Sequence, residues 1–357
     1  MATIRVLKTN GASAKICGEG EMRLRNNFPR SVLCALLSCG FSLGAQTPPG
    51  IVLKIDLKAF VAFQVDVSDY AKLATDPGIV MTATGPHAFG SFSTIADVVA
   101  VNGRPAKGTF VDRAGWVRLN PSAQAGQAIA DTTRSVLAEW HCEILQEDGT
   151  PVGSIAGVGL NGGTAPPGAP SGSAGGTFVV TGGTGAFLGM RGQGAFGSGS
   201  TVDVRRSAVE DPVNRRLHGG AAMPLILYLI PLSQPEIVAT AAGPAVVHAS
   251  DNSLVTAAKP AKSGEILTLY ATGLGPTRPG LEPGAVFTSN PIQVVNSPIN
   301  VTMAGQSAEV LFAGGFPGST SGYQVNFRAP SSVSAGTSSL IVSAAWIAGP
   351  DVKIAIQ

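Results

Sequence analysis

The chain has 357 residues, which is enough for two domains of ordinary size. It contains 46 Gly and 25 Pro, only 13% of its residues are charged, and 44% are hydrophobic. This apolar content excludes a disordered chain, and the shortage of charged residues argues against long solvated helices. The net charge of +2 depends on the first 45 residues, because the remainder holds 18 basic against 20 acidic side chains. No basic stripe follows, so the composition argues against nucleic-acid binding.

Residues 1–45 are predicted to be an N-terminal extension and a secretory signal peptide, with the signal itself at 22–45. A basic segment at 22–30 precedes an uncharged apolar run at 31–44 and the small residue Ala45, which is the order typical of an export signal. The apolar run of about 14 residues is too short to span a bilayer, which needs about 20 helical residues. A buried core helix is the alternative. We therefore expect a secreted or cell-surface protein without a membrane span.

The N-terminal segment leaves two questions open, the start of translation and cleavage as a lipoprotein. The positions of the cysteines fit an exported chain. The signal pattern is complete from Met22, so translation begins at either Met1 or Met22. Cys39 ends a Leu-Leu-Ser-Cys sequence that resembles a lipoprotein cleavage site. Only Cys142 lies beyond the signal, so the exported chain is expected to have no intramolecular disulfide. Cys142 is interpreted as a small buried hydrophobe, with a reactive thiol as the alternative.

Residues 46–232 are predicted to form an antiparallel β-barrel or sandwich. Short runs rich in Val, Ile, Phe and Thr are separated by Gly, Pro, Asn and Asp turns about every ten residues. The clearest strand is 134–145, which alternates well and is followed by an Asp-Gly turn. A low-complexity segment at 160–176 is interpreted as a loop. The apolar run within 223–235 is interpreted as the last strand of this domain and a short linker.

The glycine-rich segment 178–194, FVVTGGTGAFLGMRGQG, is either a dinucleotide-binding loop or a β-hairpin. A dinucleotide site needs a helix after the glycines, because the phosphates bind at the helix N-terminus. Five further glycines follow between 189 and 199, and each interior Gly costs a helix about 1 kcal/mol relative to Ala. The segment is therefore predicted to be strand, turn and strand, with no cofactor bound.

The same segment resembles the hairpin of the dirigent and allene oxide cyclase barrel superfamily. That resemblance implies an eight-stranded antiparallel barrel whose cavity holds an apolar small molecule. Members of the superfamily cyclise an epoxide or steer radical coupling, and they often form oligomers. The motif is a folding signature, so it carries no catalytic residues to this chain.

Residues 235–357 are predicted to form an immunoglobulin-like β-sandwich, from about seven short strands with Gly and Pro turns. The segments PAVVHASDNSLVTAAKPAKSGEILTLYATGLGPT and GYQVNFRAP lie at 244–277 and 322–330. They resemble a C-terminal domain of unassigned activity found on exported acidobacterial proteins of the Solibacter type. The resemblance implies a domain that binds, spaces or anchors.

Candidate site residues lie on strand 134–145. Glu139, His141 and Glu143 occupy alternate positions, so they share one face. If that face lines a barrel, His141 is a candidate general base between two carboxylates. If the face meets water, the three residues form a solvated surface.

Three further residues are candidates for a ligand cavity in the barrel. Arg191 either holds a ligand anion or pairs with an acid at the end of the barrel. Trp116 and Trp140 either line a cavity or fill the core. The triplet His248, Ser250 and Asp251 is interpreted as a loop, and no metal spacing and no G-x-S-x-G motif occurs. We therefore predict no metal and no cofactor.

The sequence favours an exported two-domain β-protein that binds an apolar small molecule, a surface glycan or another protein. No acid–base or nucleophile set is assembled, so a binding or structural role is favoured over catalysis. The alternative is a cyclase or isomerase acting on an apolar molecule in the barrel cavity. Self-association into a homo-oligomer stays open.

Overall fold

The computed structural model describes residues 50–66, 88–118, 135–161, 177–197, 205–207, 210–217 and 219–357. The predicted signal peptide, the two alternative starts and Cys39 lie outside the described residues. All described residues belong to one packing unit, Ser42–Gln357.

The first half of the described chain forms one sheet of ten strands. Eight of them, β1, β2, β4, β5, β6, β7, β8 and β10, pair in this order as a closed antiparallel barrel, because β10 pairs back with β1. The short β3 pairs with β2, and β9 pairs in parallel with β1. The predictions of an all-β fold and an antiparallel barrel are confirmed. The ten strands are β1 Ile51–Asp66, β2 Ala88–Val101, β3 Arg104–Pro105, β4 Lys107–Arg118, β5 Ser135–Leu145, β6 Pro151–Asn161, β7 Thr177–Gly185, β8 Arg191–Phe196, β9 Arg205–Ser207 and β10 Ala221–Ile230.

A β-bulge in β1 allows this strand to close the ring. The register of β1 shifts between Leu57 and Phe60 against β10, and between Lys58 and Val61 against β2. Ala59 lies inside the bulge with a φ of 49°. An extra residue bends the strand and increases its twist. The bend fits β1 to the curvature of an eight-stranded ring, where it pairs on both edges.

The glycine-rich segment forms the β7–β8 hairpin, as predicted, with strand β8 and not a helix after the turn. Gly185 begins the turn with a φ of 61°, and a Cβ there would lie 2.4 Å from the Val152 carbonyl oxygen. Only Gly fits this position without strain. The turn carries Phe187 and Met190 into the barrel core, where they are 0% and 1% exposed.

Turns within the described residues join β2 to β3, β5 to β6 and β7 to β8 at one end of the barrel, which we call the base end. The opposite end is called the far end. At the far end β1, β4, β6 and β8 terminate. The segments that follow them, 67–87, 119–134, 162–176 and 198–204, lie outside the described residues.

One short helix, η1 Pro212–Arg216, is fastened to the outside of the barrel. Arg215 Nη2 lies 2.5 Å from Asp97 Oδ1, and Arg216 Nε lies 2.7 Å from Asp97 Oδ2. Burial raises the pKa of Asp97, but hydrogen bonds from Arg216 and Arg215 outweigh it and leave the pKa below its ordinary value. The ion pair therefore holds the connection between β9 and β10 against β2.

The second half of the chain forms a curled sheet of eleven strands and a separate two-stranded sheet, β12–β13. Strand β19 pairs with β20 on one edge and β18 on the other, with a register shift between Val310 and Phe312. The immunoglobulin-like sandwich and the domain limits at 232 and 235 stay predictions. The strands are β11 Glu236–Ile237, β12 Ala239–Thr240, β13 Gly243–Pro244, β14 Val246–His248, β15 Ile266–Thr272, β16 Thr277–Arg278, β17 Val294–Val295, β18 Ile299–Met303, β19 Gln306–Gly315, β20 Tyr323–Arg328, β21 Gly336–Ala344, β22 Ile347–Ala348 and β23 Val352–Ile356.

The β21–β22 hairpin of the second sheet packs into the base end of the barrel. Its turn residues Ala345 and Trp346 have φ values of 49° and 63°, as a tight two-residue hairpin turn requires. Ala345 and Ile347 are 1% and 3% exposed and belong to the barrel core, and Trp346 packs against that core. Gln146 Nε2 also donates to the Asn296 carbonyl oxygen at 2.5 Å. The two sheets therefore share part of one hydrophobic core.

Because the core is shared, we expect Ile347→Ala to lower the free energy of unfolding by about 2 to 5 kcal/mol. We also expect the barrel and the second sheet to unfold in one transition. Guanidinium unfolding followed by tryptophan fluorescence and circular dichroism measures both quantities. Ile292→Ala is the matched control, because Ile292 is 54% exposed. Two separate transitions, with Ile347→Ala affecting only the second, would contradict a shared core.

Candidate functional site

The interior of the barrel contains a layer of aromatic rings in mutual contact. Neighbouring ring centroids lie 5.2 to 6.2 Å apart, in stacked and edge-to-face arrangements. Towards the base end, the layer rests on a packed aliphatic core that the second sheet closes. The interior is therefore apolar and filled at this level by Phe60, Phe110, Trp140, Phe178 and Phe196.

Between the aromatic layer and the far end, several inward side chains of four neighbouring strands are small, and Phe92 of β2 is the large side chain beside them. The small residues are Ala62 on β1, Thr94 on β2, Ala114 on β4 and Ala138 on β5, and each is at most 6% exposed. An eight-stranded barrel is just wide enough to be filled by side chains or to hold one small ligand. Alanine and threonine fill little of that width. This part of the wall is thus suited to contact a small molecule.

Among the described side chains, one acidic residue, Asp112 of β4, points into the barrel among these small residues. It is 2% exposed, and its Oδ1 accepts a hydrogen bond from the Thr94 backbone N–H at 3.0 Å. Burial raises the pKa of Asp112 to about 6, although hydrogen bonds from Thr94 act in the opposite direction. The barrel therefore holds one carboxyl group that changes charge near neutral pH.

Asp112 is not one of the residues predicted from the sequence, although its position carries a signal. In β4 the inward positions include Phe110, Asp112 and Ala114, so the acid occurs in phase with the apolar face. A lone carboxylate on the buried side of an alternating strand is a candidate functional group, because burying a charge is costly.

Trp140 lies beside Asp112 in the same row across the sheet. Asp112 pairs with Thr94 on one side and with Trp140 on the other. Trp140 is 4% exposed, and its Nε1 is buried with no hydrogen-bond partner among the described residues. A buried unsatisfied donor costs about 1 to 3 kcal/mol. The indole N–H is therefore available to a ligand that carries an acceptor.

The three polar candidates of β5 do not line the barrel. Glu139, His141 and Glu143 are all exposed and point outwards, because they alternate with the inward residues Trp140 and Cys142. The proposed His141 general base inside a cavity is therefore wrong, and the solvated surface is what the structure shows.

The other residues predicted from the sequence lie in different parts of the barrel. Arg191 is exposed, and its Nη1 donates to the Thr181 carbonyl oxygen, so holding a ligand anion and pairing with an acid both stay predictions. Trp140 belongs to the core layer described above. Trp116 lies on β4, but its side chain is outside what the structure describes, and its role stays a prediction. Burial raises the pKa of Cys142 to about 12, which fits the buried hydrophobe and not a nucleophile.

The segment around His248 is structural. His248 is 3% exposed, and its Nδ1 lies 2.6 Å from Glu265 Oε1. Asp251 accepts hydrogen bonds from Ser253 and Lys259 instead of approaching His248. The loop interpretation is wrong for His248, which ends strand β14 and pairs with Leu267, and it holds for Ser250 and Asp251, which lie in the turn that follows.

No group of three or more His, Cys, Asp or Glu side chains that could hold a metal occurs in the described part of the chain. The described ranges also contain no helix of the length and apolar character needed to cross a bilayer. The chain matches no protein-family model, no curated protein and no solved structure. The resemblances to the dirigent superfamily and to the acidobacterial domain stay predictions, so function is argued from the site.

The raised pKa of Asp112 makes stability depend on pH. The folded pKa of about 6 exceeds the ordinary value of 3.8, so the folded state favours the neutral acid. The contribution of Asp112 to stability is therefore greatest below about pH 4 and falls by about 3 kcal/mol as the pH rises through about 6.

We expect Asp112→Asn to remove this loss, because asparagine keeps an acceptor for Thr94 and carries no charge. The variant should match the wild type at pH 4 and exceed its stability at pH 7, as measured by urea unfolding across this range. Glu143→Gln is the control on the outer face and should change little. An Asp112→Asn variant that is less stable than the wild type at pH 7 would contradict a raised pKa.

Proposed function

We propose that the chain is an exported binding protein whose barrel holds an apolar small molecule that carries one hydroxyl group. The supporting observation is the adjacent pair of Asp112 and Trp140 in an apolar interior, one with a buried carboxyl and the other with an unpartnered N–H. The signal-like pattern of residues 22–45 supports export.

A hydroxyl group matches both polar groups of the site. Its oxygen accepts a hydrogen bond from Trp140 Nε1, and its proton is donated to the ionised carboxylate of Asp112. Such a bond to a charged acceptor is stronger than one between neutral groups. The aromatic layer and the small residues of the wall provide apolar contact for the rest of the ligand. The second sheet supports the base of the barrel.

Catalysis is the second candidate function, and one observation favours it. Asp112 is an enclosed carboxyl group with a pKa near 6, which suits a general acid or base at neutral pH. Cys142 is the other titratable group among the described inward residues of the barrel, and burial keeps it protonated. Asp112 therefore has no described partner to complete an acid–base pair, and we favour binding over a cyclase or isomerase activity.

Native mass spectrometry of the secreted chain from its own host tests the binding proposal. We expect a small apolar adduct that is present in the native protein and absent after denaturation. Trp140→Phe should keep the fold and reduce retention of the adduct at least about tenfold, because the ring remains and the N–H is lost. Ala138→Leu should also reduce retention by narrowing the barrel.

His141→Leu is the matched control for Ala138→Leu, since it adds an apolar side chain to the outward face of the same strand. It should leave the adduct unchanged. A wild-type chain of bare sequence mass in every preparation would overturn the proposal. An adduct that is chemically converted by the wild type and unchanged by Asp112→Asn would favour the enzyme.

A further inference from the structure

The outer surface of β4 and β5 carries exposed apolar side chains beside a shallow hollow. A shallow depression of about 360 Å³ lies there, lined by residues of β4, β5 and β6. Leu137, which borders it, is 66% exposed, and Val111 and Val158 are 40% and 43% exposed. Exposed apolar surface of this kind marks interaction sites. We call this surface the β4–β5 face, formed by Val111, Arg113, Gly115, Leu137, Glu139, His141 and Val158.

The first complementary pair on this face is steric. Leu137 of β5 and Gly115 of β4 lie directly opposite each other in the sheet. Leu137 projects into solvent, whereas a Cβ added at Gly115 would meet nothing within 4 Å. A projecting side chain and a hollow of the same face therefore lie side by side.

The second pair is electrostatic. Arg113 and Glu139 are the next outward pair along the same two strands, and they also lie directly opposite each other. Arg113 Nη1 lies 3.6 Å from Glu139 Oε1, with side chains 81% and 64% exposed. Strand β4 therefore presents the hollow and the positively charged group. Strand β5 presents the projecting leucine side chain and the negatively charged group.

We propose that a second copy of this chain binds to the β4–β5 face, related by a two-fold axis that runs parallel to β4 and β5 and between them. Such an axis places β4 of each copy over β5 of the other. Residues that are opposite each other within one sheet then face each other across the interface. Leu137 of each copy enters the hollow at Gly115 of its partner, and Arg113 of each copy faces Glu139 of its partner.

The charge arrangement favours a second copy over an unrelated partner. A two-fold interface needs a surface that is complementary to itself, and both outward pairs meet this requirement about the same axis. The four charges then form a network, which contributes more than an isolated exposed ion pair. This proposal uses the outer surface and is independent of the ligand proposed for the interior.

Sedimentation velocity of the full secreted chain over a hundredfold range of concentration tests the proposal. We expect a monomer–dimer equilibrium. Leu137→Glu should raise the dimer Kd by about a hundredfold or more, because each dimer loses two buried leucines and gains two buried charges. Tyr228→Glu is the control: Tyr228 is 39% exposed on β10, four places from β5 around the ring.

A charge exchange distinguishes this two-fold from other dimers. Arg113→Glu alone places like charges opposite each other in both halves of the interface, and so does Glu139→Arg alone. Each variant should therefore be monomeric by itself. When the two are mixed, every acidic group faces a basic group, so a heterodimer should form. Circular dichroism and thermal unfolding check that each variant is folded.

The outcomes decide the proposal. A dimer that is lost with Leu137→Glu, retained with Tyr228→Glu and rebuilt as a heterodimer from the two charge variants supports it. A wild-type chain that stays monomeric at every concentration overturns it. A dimer or larger oligomer that is unaffected by Leu137→Glu and by both charge variants also overturns it, because the contact then lies elsewhere.

Discussion

Closure of the first sheet by β1 is the constraint on which the other features depend. Strand β1 pairs with β2 along one edge and with β10 along the other, and its bulge supplies the bend that this requires. A closed ring has no free edge strand. It also divides every strand into an inside and an outside. Once the sheet is closed, the alternation of side chains along each strand assigns each residue to the core or to solvent.

This division explains why acidic residues on two neighbouring strands differ in role. Asp112 occurs in phase with Phe110 and Ala114, so closure places its carboxyl in the interior. Glu139 and His141 are out of phase with Trp140, so they meet solvent on the neighbouring strand. A shift of one residue in the register of β4 or β5 would exchange the two sets. The interior carboxyl is costly to ionise, whereas the exterior ones remain hydrated.

Local pattern predicted much of the barrel, while the site depended on long-range pairing. The glycines of 178–194 excluded a helix by their spacing and required a turn, and both follow from backbone geometry alone. The alternation of 134–145 gave two faces but did not decide which was inside. The neighbours that decide it, Phe110 and Phe178, come from distant strands. The packing of Ala345 and Ile347 into the barrel core joins residues too far apart in sequence for any local pattern to indicate it.

The shared core provides a physical link between the second sheet and the proposed site. A buried acid and an unsatisfied indole N–H both lower the stability of the barrel that contains them. Packing at the base end offsets this cost, since Ile347 and Ala345 complete a core that the barrel strands alone would leave exposed. The Asp112 carboxyl and the Trp140 N–H lie at the level of the aromatic layer, whereas Ala345 and Ile347 pack at the base end. The arrangement thus separates the packing that stabilises the fold from the part of the barrel that we propose to bind.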